Sequence, residues 1–336
     1  MGLITLQEKD EIGRIGILKK LTRWLFVTAM SLFVGIYSKE GSVDYENYTD
    51  FLEGAPAFAE WTLFSLKDPF FQSLGAVFAS SNGNLAALTF VTTFLSLGIK
   101  MKILVGKYYE NIFALAVLFL VGRFFLLHEF TQIRASLGIA FISLAVIFGM
   151  HGKWFWLILA VVIAAFTHLS TIALLPIILL TCDSTPRIKL FIFLFGILVF
   201  SLIGLESDVI AFTRLDPYLS GDYVVTENTL VNFYFVFKAL MVLTLLFQWK
   251  SLSPGIRCAL MVSVYGLFLT LIFLQNNVLS LRFGELTAVF DCICFAYCLK
   301  YSCMLEPFYA YCAGLMLVSL LYFSSTNIVN PIQSIF

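Results

Sequence analysis

The stretch "LHEFTQIRASLGIAFISLAVIFGM", residues 127 to 150, decides the fold class. Its apolar part is about long enough to cross a bilayer, which takes roughly 20 residues of helix. A histidine, a glutamate and an arginine stand at the start of this run: His128, Glu129 and Arg134. Ionisable groups are costly at the edge of a hydrocarbon layer, so their presence there requires a physical reason.

The rest of the chain repeats this apolar character. Of its 336 residues, 60% are hydrophobic, 36 are phenylalanine and 12% are charged, and the mean hydropathy is +0.93. A water-soluble core of this length cannot bury so much apolar surface, so the composition predicts an all-α, polytopic integral membrane protein. The formal net charge is zero and no basic arm is present, which argues against a nucleic-acid partner.

Hydropathy predicts about ten or eleven membrane-spanning helices in a single transmembrane domain, residues 1–336. The predicted spans lie near residues 22–37, 85–100, 111–127, 133–150, 154–166, 168–181, 190–205, 230–248, 258–275, 284–300 and 307–324. The segment from 154 to 181 is short for two full-thickness helices, so we expect a short hairpin or one broken helix there.

Lysine and arginine between the predicted spans set their orientation. A basic cluster precedes the first span, and Lys100, Lys102 and Lys107 follow the second, which places the N-terminus and this turn in the cytoplasm. Alternation then places Lys153, Arg187, Lys189, Lys250, Arg257 and Lys300 on the same side. The rule gives no reason for the other seven: Lys39, Lys67, Arg123, Arg134, Arg214, Lys238 and Arg282. Lys238 and Asp291 both lie inside predicted spans, where they are candidates to neutralise each other.

Two long polar stretches are predicted on the outer face, a first loop over 38–84 and a second over 206–229. Within the first, Asp68 can cap a helix that starts at Pro69. The spacing puts an apolar face on that helix, which we interpret as lying on the membrane surface. This face contains Phe70, Phe71, Leu74, Val77 and Phe78.

Arginines, carboxylates and a histidine gather on this outer side, which suits an anionic, lipid-attached substrate at the membrane surface. Each has a plain alternative: an arginine at a span boundary can anchor its helix, and a histidine in a span is often hydrogen-bonded between helices. The joint pattern therefore carries more information than any single residue.

Five short motifs occur in an order that resembles the EpsG-type branch of the Wzy polysaccharide polymerases. They are "DYENYTDF" after the first span, "KDPFF" before the second, "RASLGIAF" opening the fourth, "HLSTIALLP" in the sixth and "LRFGEL" near the tenth. The resemblance covers roughly residues 35 to 290. One position departs from the pattern, because the Arg-x-x-Leu-Ala of that family is here Arg134-Ala-Ser-Leu137-Gly138.

The resemblance implies a GT-C-like architecture in a bacterial inner membrane, with the active site on the outer face. It implies polymerisation of oligosaccharide repeat units into O-antigen, capsule or exopolysaccharide. Donor and acceptor are linked to undecaprenyl diphosphate, which leaves as the glycosidic bond forms. It also implies a chain-length regulator as a partner.

This chemistry assigns roles to the outward-facing residues. Fixed guanidiniums stabilise the charge that develops on the departing diphosphate, and we rank Arg134 and Arg282 before Arg123 and Arg214. The attacking hydroxyl needs a general base, for which His168 ranks first and Asp44 and Glu129 are alternatives. Tyr45, Tyr48 and Tyr218 are candidates to stack on sugars, or equally to form an interfacial aromatic belt. On this interpretation His128 is a bystander.

No Asp-x-Asp pair or metal-type cysteine spacing is evident, so we expect a metal-independent enzyme without a cofactor. Other functions stay open. An O-antigen ligase uses the same donor, whereas a flippase or secondary transporter is expected to show internal repeats, interrupted helices and charges near the midplane. An acyltransferase with a histidine and a nearby acidic residue is a further alternative, which the adjacent His128 and Glu129 fit poorly because neighbouring helical residues diverge.

Overall fold

The computed structural model describes residues 6–41, 45–53, 68–80, 84–181, 233–273 and 277–301. Throughout these ranges the regular elements are helices, and no strand occurs among them. The α-helices of the first half are α1 Leu6–Gly41, α2 Tyr45–Glu53, α3 Pro69–Ser80, α4 Leu85–Leu104, α5 Phe113–Phe119, α6 Ile133–Met150, α7 Trp154–Thr167 and α8 Leu175–Thr181. Those of the second half are α9 Phe233–Phe247, α10 Pro254–Ile272, α11 Asn277–Glu285 and α12 Ala288–Tyr301.

Four segments are long and apolar enough to cross a membrane: Leu85–Leu104, Glu110–Thr131, Ile133–Met150 and Pro254–Ile272. Shorter apolar helices accompany them at Pro69–Ala79, Trp154–Thr167, Leu169–Thr181 and Tyr234–Phe247. Over the described residues the chain is thus all-helical, as predicted, and its long apolar helices are consistent with a polytopic membrane protein. The predicted spans at 190–205 and 307–324 lie outside the described residues, so the total of ten or eleven spans stays a prediction, as does the GT-C-like architecture.

The third predicted span is not a simple α-helix. It begins with a 3-10 turn at Glu110–Ile112, continues as α5 and ends as a π-helix over Leu120–Thr131. Its last bond runs from the amide of Gln132 to the carbonyl of Leu127, five residues back. Gln132 then leaves helical geometry, with φ −104° and ψ 51°, and α6 begins at the next residue.

The expected interruption between 154 and 181 is present. Helix α7 ends at Thr167, and His168 takes an extended conformation with φ −157° and ψ 106°. A 3-10 helix, Leu169–Leu174, follows and leads into α8. Gly138 on α6 faces this break, where a methyl group in place of its hydrogen would come within 2.9 Å of the His168 Cβ. The missing side chain therefore lets α6 pack closely against the interruption.

Helix α6 packs against α4 on one side and α7 on the other, α1 covers α4, and α10 packs on α11 and α12. Buried leucine, isoleucine, alanine and phenylalanine side chains from these helices form one continuous core. This packing fixes the helix ends that carry the polar residues described below.

Helix α3 begins at Pro69, as predicted, but its apolar face is not turned wholly to the membrane surface. Phe71 is fully buried in a small cluster with Tyr48, Leu85 and Leu88, and α3 packs on α2, α4 and α7. The interpretation of Phe71 as a membrane-facing residue is therefore wrong, because the protein itself covers that part of the face.

The turns that carry most of the predicted cytoplasmic lysines meet at one end of the bundle. The Tyr109 hydroxyl donates to the Gly255 carbonyl at 3.2 Å, and Lys300 Nζ donates to the Asn111 carbonyl at 2.5 Å. The ring of Tyr108 lies 6.5 Å from that of His151. This grouping agrees with the positive-inside pattern, while the side of the membrane stays a prediction.

Candidate functional site

A cavity opens where three interruptions of the helices come together. One is Gln132 between the π-helix and α6, another is the extended residue His168, and the third is the turn at Leu286 between α11 and α12. The cavity is narrow: its empty space is about 250 Å³ when the part open to solvent is counted, and the room between its walls is enough for about one water molecule. It is lined by His128, Gln132, Ala135, Ile139, His168, Ser170, Arg282, Glu285 and Leu286. Non-helical backbone within a membrane bundle is expected where it lines such a cavity.

Two of the residues predicted for chemistry meet in this cavity. His168 enters from the break after α7, and Arg282 enters from α11. Glu285 stands three residues after Arg282, a spacing that places both side chains on one face of a helix. The cavity thus holds a cation, a carboxylate and two imidazoles, a set able to bind an anion and to accept a proton.

Glu285 joins two side chains of the π-helix. Its Oε1 accepts a hydrogen bond from Arg123 Nη2 at 3.1 Å, and its Oε2 lies 3.8 Å from His128 Nε2. Arg123 and His128 are five residues apart, which on an α-helix would set them on diverging faces. A π-helix has more residues in each turn, so residues five apart come round to nearly the same side. The unusual helix therefore brings both side chains to one carboxylate.

The polar contacts continue from Arg123 into the bundle. Its guanidinium carbon lies 4.9 Å from the centre of the Tyr234 ring, a cation–π distance. The Tyr234 hydroxyl donates to Asp291 Oδ2 at 2.5 Å, and Lys238 Nζ donates to the same oxygen at 2.8 Å. The proposed pairing of Lys238 with Asp291 is confirmed, and both side chains are buried.

A second buried ion pair joins α4 to the end of the π-helix. Lys100 Nζ lies 2.6 Å from Glu129 Oε1, with side chains 0% and 1% exposed. Ser136 accepts from the same ammonium at 2.7 Å, and Ser96 donates to the carboxylate at 3.1 Å. The assignment of Lys100 to a cytoplasmic turn is therefore wrong. Glu129 is held by this cation and does not line the cavity, which argues against it as a general base.

Arg134 pairs with a residue that is far from it in the sequence. Its Nη1 donates to Asp68 Oδ2 at 2.8 Å, joining the first turn of α6 to the residue before α3. The side chain is 31% exposed and lies beside the cavity rather than in it, since its neighbour Ala135 is the lining residue. Asp68 holds a positive φ of 58°, which its short polar side chain tolerates better than most.

A model of the EpsG family matches residues 21–336. The chain belongs to the EpsG family. This confirms the resemblance drawn from the five short motifs and extends it to nearly the whole chain. Family membership points to a function of polysaccharide-polymerase type. No curated protein and no solved structure matches it.

The aromatic residues proposed for sugar stacking are placed unevenly in this EpsG-family protein. Tyr48 is buried against Phe71, with ring centres 6.0 Å apart, so its ring is core and not an open platform. Tyr45 is half-buried on the same helix. Asp44, Arg214 and Tyr218 lie outside the described residues, so their predicted roles stay predictions. Over the ranges that are described, no group of three metal-ligating side chains occurs, and metal independence likewise stays a prediction.

Sequence reasoning missed two members of the site. His128 was interpreted as a bystander, yet it is fully buried and lines the cavity. Glu285 was noted only as one of several outer-face polar residues, yet it connects Arg123 to His128. The available signal was spacing: Glu285 follows Arg282 by three residues in "LRFGEL", on the same helical face.

Proposed function

We propose that this EpsG-family protein is a polymerase that joins undecaprenyl-diphosphate-linked oligosaccharide repeat units at the outer face of a bacterial inner membrane. The observation that carries the proposal is a cavity that gathers His168 and Arg282 at a junction of three helix interruptions. Family membership supports the class of reaction. The specific donor and the side of the membrane belong to the proposal.

In this reaction a sugar hydroxyl of one lipid-linked unit attacks the anomeric carbon of another. A new glycosidic C–O bond forms, and the bond from that carbon to the diphosphate oxygen breaks. The leaving diphosphate keeps the electron pair, and the hydroxyl proton passes to a general base. Protein groups fixed beforehand around the developing charge lower the barrier without reorganising during the step.

Arg282 is the best placed guanidinium for the diphosphate, because it lines the cavity. Arg123 is not among the lining residues, and Arg134 lies at the side of the site, where it pairs with Asp68. We therefore place Arg282 first, with Arg134 as a second contact at the entrance. His168 takes the proton, since an imidazole is able to accept one near neutral pH and this one stands in the cavity.

Purified protein incubated with its lipid-linked repeat unit, with products resolved on a ladder gel, tests the proposal. Arg282→Ala is expected to lower chain extension by about a hundredfold or more, as for removal of a donor that stabilises a developing anion. His168→Gln is expected to lose about a hundredfold from the proton-transfer step.

Matched controls are Arg23→Ala and His151→Gln, because Arg23 is half-buried, His151 is exposed, and neither lines the cavity. These two variants are expected to extend chains at the wild-type rate. Wild-type ladders from both Arg282→Ala and His168→Gln would remove the cavity as the site of polymerisation.

One observation favours a second candidate, a transporter of lipid-linked oligosaccharide. Among the described residues there are two buried lysine–carboxylate pairs and three interruptions of the helices, and such features are typical of transport pathways. The surface glycans of cells that lack the protein distinguish the two functions. Loss of a polymerase leaves single-repeat glycans at the surface, whereas loss of a transporter removes all surface glycan.

A further inference from the structure

The histidine that the sequence left without a role has the surroundings of a ligand-binding group. His128 is 0% exposed, and its ring is stacked on Phe124 with centres 5.2 Å apart. It lines the cavity together with Arg282 and His168. Packing therefore fixes its imidazole against the cavity.

Neither ring nitrogen of His128 makes a hydrogen bond within the described part of the chain. The nearest charged group is Glu285, whose Oε2 is 3.8 Å from Nε2, longer than a hydrogen bond. An imidazole always carries at least one N–H, and a buried polar group without a partner costs free energy. An apolar ring would pack equally well on Phe124, so the polar ring needs another reason to be there.

We infer that His128 binds a hydroxyl group of the oligosaccharide in this cavity. The inference rests on the proposed function, since it takes the ligand to be a lipid-linked repeat unit. A neutral imidazole offers one donor and one acceptor, which matches a hydroxyl that both donates and accepts. An ionised phosphate offers acceptors only, so it would leave the accepting ring nitrogen of His128 without a donor. The cavity therefore has a sugar-binding side at His128 and an anion-binding side at Arg282.

Glu285 and Arg123 are positioning residues for this contact. The hydrogen bond from Arg123 holds the carboxylate, and the carboxylate holds one edge of the imidazole through its charge. Because Arg123 neutralises Glu285, the imidazole faces a dipolar pair instead of a bare anion.

The experiment measures binding of two probes to purified wild-type and variant protein. The probes are undecaprenyl diphosphate and the oligosaccharide freed from the lipid-linked repeat by mild acid. His128→Phe keeps an aromatic ring stacked on Phe124, slightly larger than the imidazole, but removes both nitrogens. We expect it to weaken oligosaccharide binding about tenfold, the value of one buried hydrogen bond, and to leave undecaprenyl diphosphate binding unchanged.

A second variant and a stability measurement show whether weaker binding comes from the lost contact or from disturbed packing. His128→Asn keeps a donor and an acceptor, so its oligosaccharide binding is expected to recover to within about threefold of wild type. His128→Phe is expected to unfold close to the wild-type temperature, because the loss of buried ring nitrogens that make no hydrogen bond within the described residues offsets the slightly larger ring. His151→Phe is the control and should change neither probe.

Wild-type oligosaccharide binding by His128→Phe would overturn the inference, and so would an equal loss for both probes. A His128→Asn protein that binds as poorly as His128→Phe would also count against it. If the wild type bound neither probe, the proposed function itself would fail. If it bound both but made no polymer, only the proposed reaction would fail, and weaker binding by His128→Phe would still support the contact.

Discussion

Gly138 shows how a single residue without a side chain shapes the site. A Cβ at this position would lie 2.9 Å from the Cβ of His168 and 3.0 Å from Cγ2 of Thr171. Both neighbours belong to the interrupted segment that carries His168 into the cavity. The position at which the sequence departs from the Arg-x-x-Leu-Ala pattern is thus the point of close approach between α6 and the break.

We predict that Gly138→Ala displaces His168 and impairs polymerisation. Overpacking of this kind typically costs about 1–3 kcal/mol of folding free energy. The measurement is thermal unfolding of the purified protein together with the length of the glycan ladder. Gly16→Ala is the matched control, since no atom lies within 4 Å of its added methyl group, and it should be neutral or slightly stabilising. Equal behaviour of the two variants would show that the approach at Gly138 is not tight.

The buried pair of Lys100 and Glu129 gives a second prediction. Lys100→Met leaves a carboxylate uncompensated in the bundle, which typically costs about 3–5 kcal/mol. Adding Glu129→Gln removes the orphaned charge, so the double variant should recover most of that stability. Thermal unfolding of the two single variants and the double variant forms a complete cycle. Additive losses would mean that the two side chains do not interact in the membrane.

The sequence was least informative about which side chains of the site form ion pairs with each other. The apolar context showed that Lys238 and Asp291 lie inside spans, and the cost of isolated charges there made their pairing a reasonable prediction. For Arg134 the near candidate was Glu129, five residues earlier. The non-helical residue Gln132 breaks the register between them, and Arg134 instead meets Asp68, far away in the sequence.

At the scale of elements, hydropathy predicted the positions of the helices well but not the hydrogen-bond pattern within them. The predicted span 133–150 coincides with α6, because a long apolar run between polar turns is a strong signal. The same method gave no sign of the π-helix over Leu120–Thr131, since it records polarity and not the hydrogen-bond pattern. The break at His168 was anticipated only because residues 154–181 are too few for two full spans.

The ion pair between Asp68 and Arg134, which connects α3 to α6, gives a prediction at the scale of an element. Asp68→Asn keeps a residue that tolerates the φ of 58° but removes the charge that pairs with Arg134. Because Arg134 is partly exposed, the loss of stability should be at most about 1 kcal/mol. Thermal unfolding measures it, and Asp50→Asn, at an exposed position on α2, is the control. A loss equal to that of the control would show that the ion pair does not anchor α3.

At the scale of the whole molecule, the described polar groups lie in three separate places: one end of the bundle, the spaces between helices and the cavity. The basic turns meet at one end, where Tyr109 contacts Gly255 and Lys300 contacts Asn111. The two lysine–carboxylate pairs lie buried between helices, and the cavity lies among helix interruptions. Among the described residues the grouping of the basic turns agrees with the charge pattern of the sequence, except at Lys100. That residue precedes the end of α4 by four positions, and its long side chain turns back into the bundle to meet Glu129.

The orientation of the bundle in the membrane gives the last prediction. If the basic end is cytoplasmic, a cysteine in place of Lys153 should react with a membrane-impermeant maleimide only after the inner membrane is permeabilised. A cysteine in place of Asn84, at the opposite end of α4 from the basic turns, should react once the reagent reaches the outer side. Both replaced side chains are exposed, so reactivity reports position and not burial. The unmodified chain, with its seven cysteines, provides the baseline. The proposed substrates lie on the outer side of the membrane. The reverse labelling pattern would place the cavity on the cytoplasmic side and would therefore contradict the proposed function.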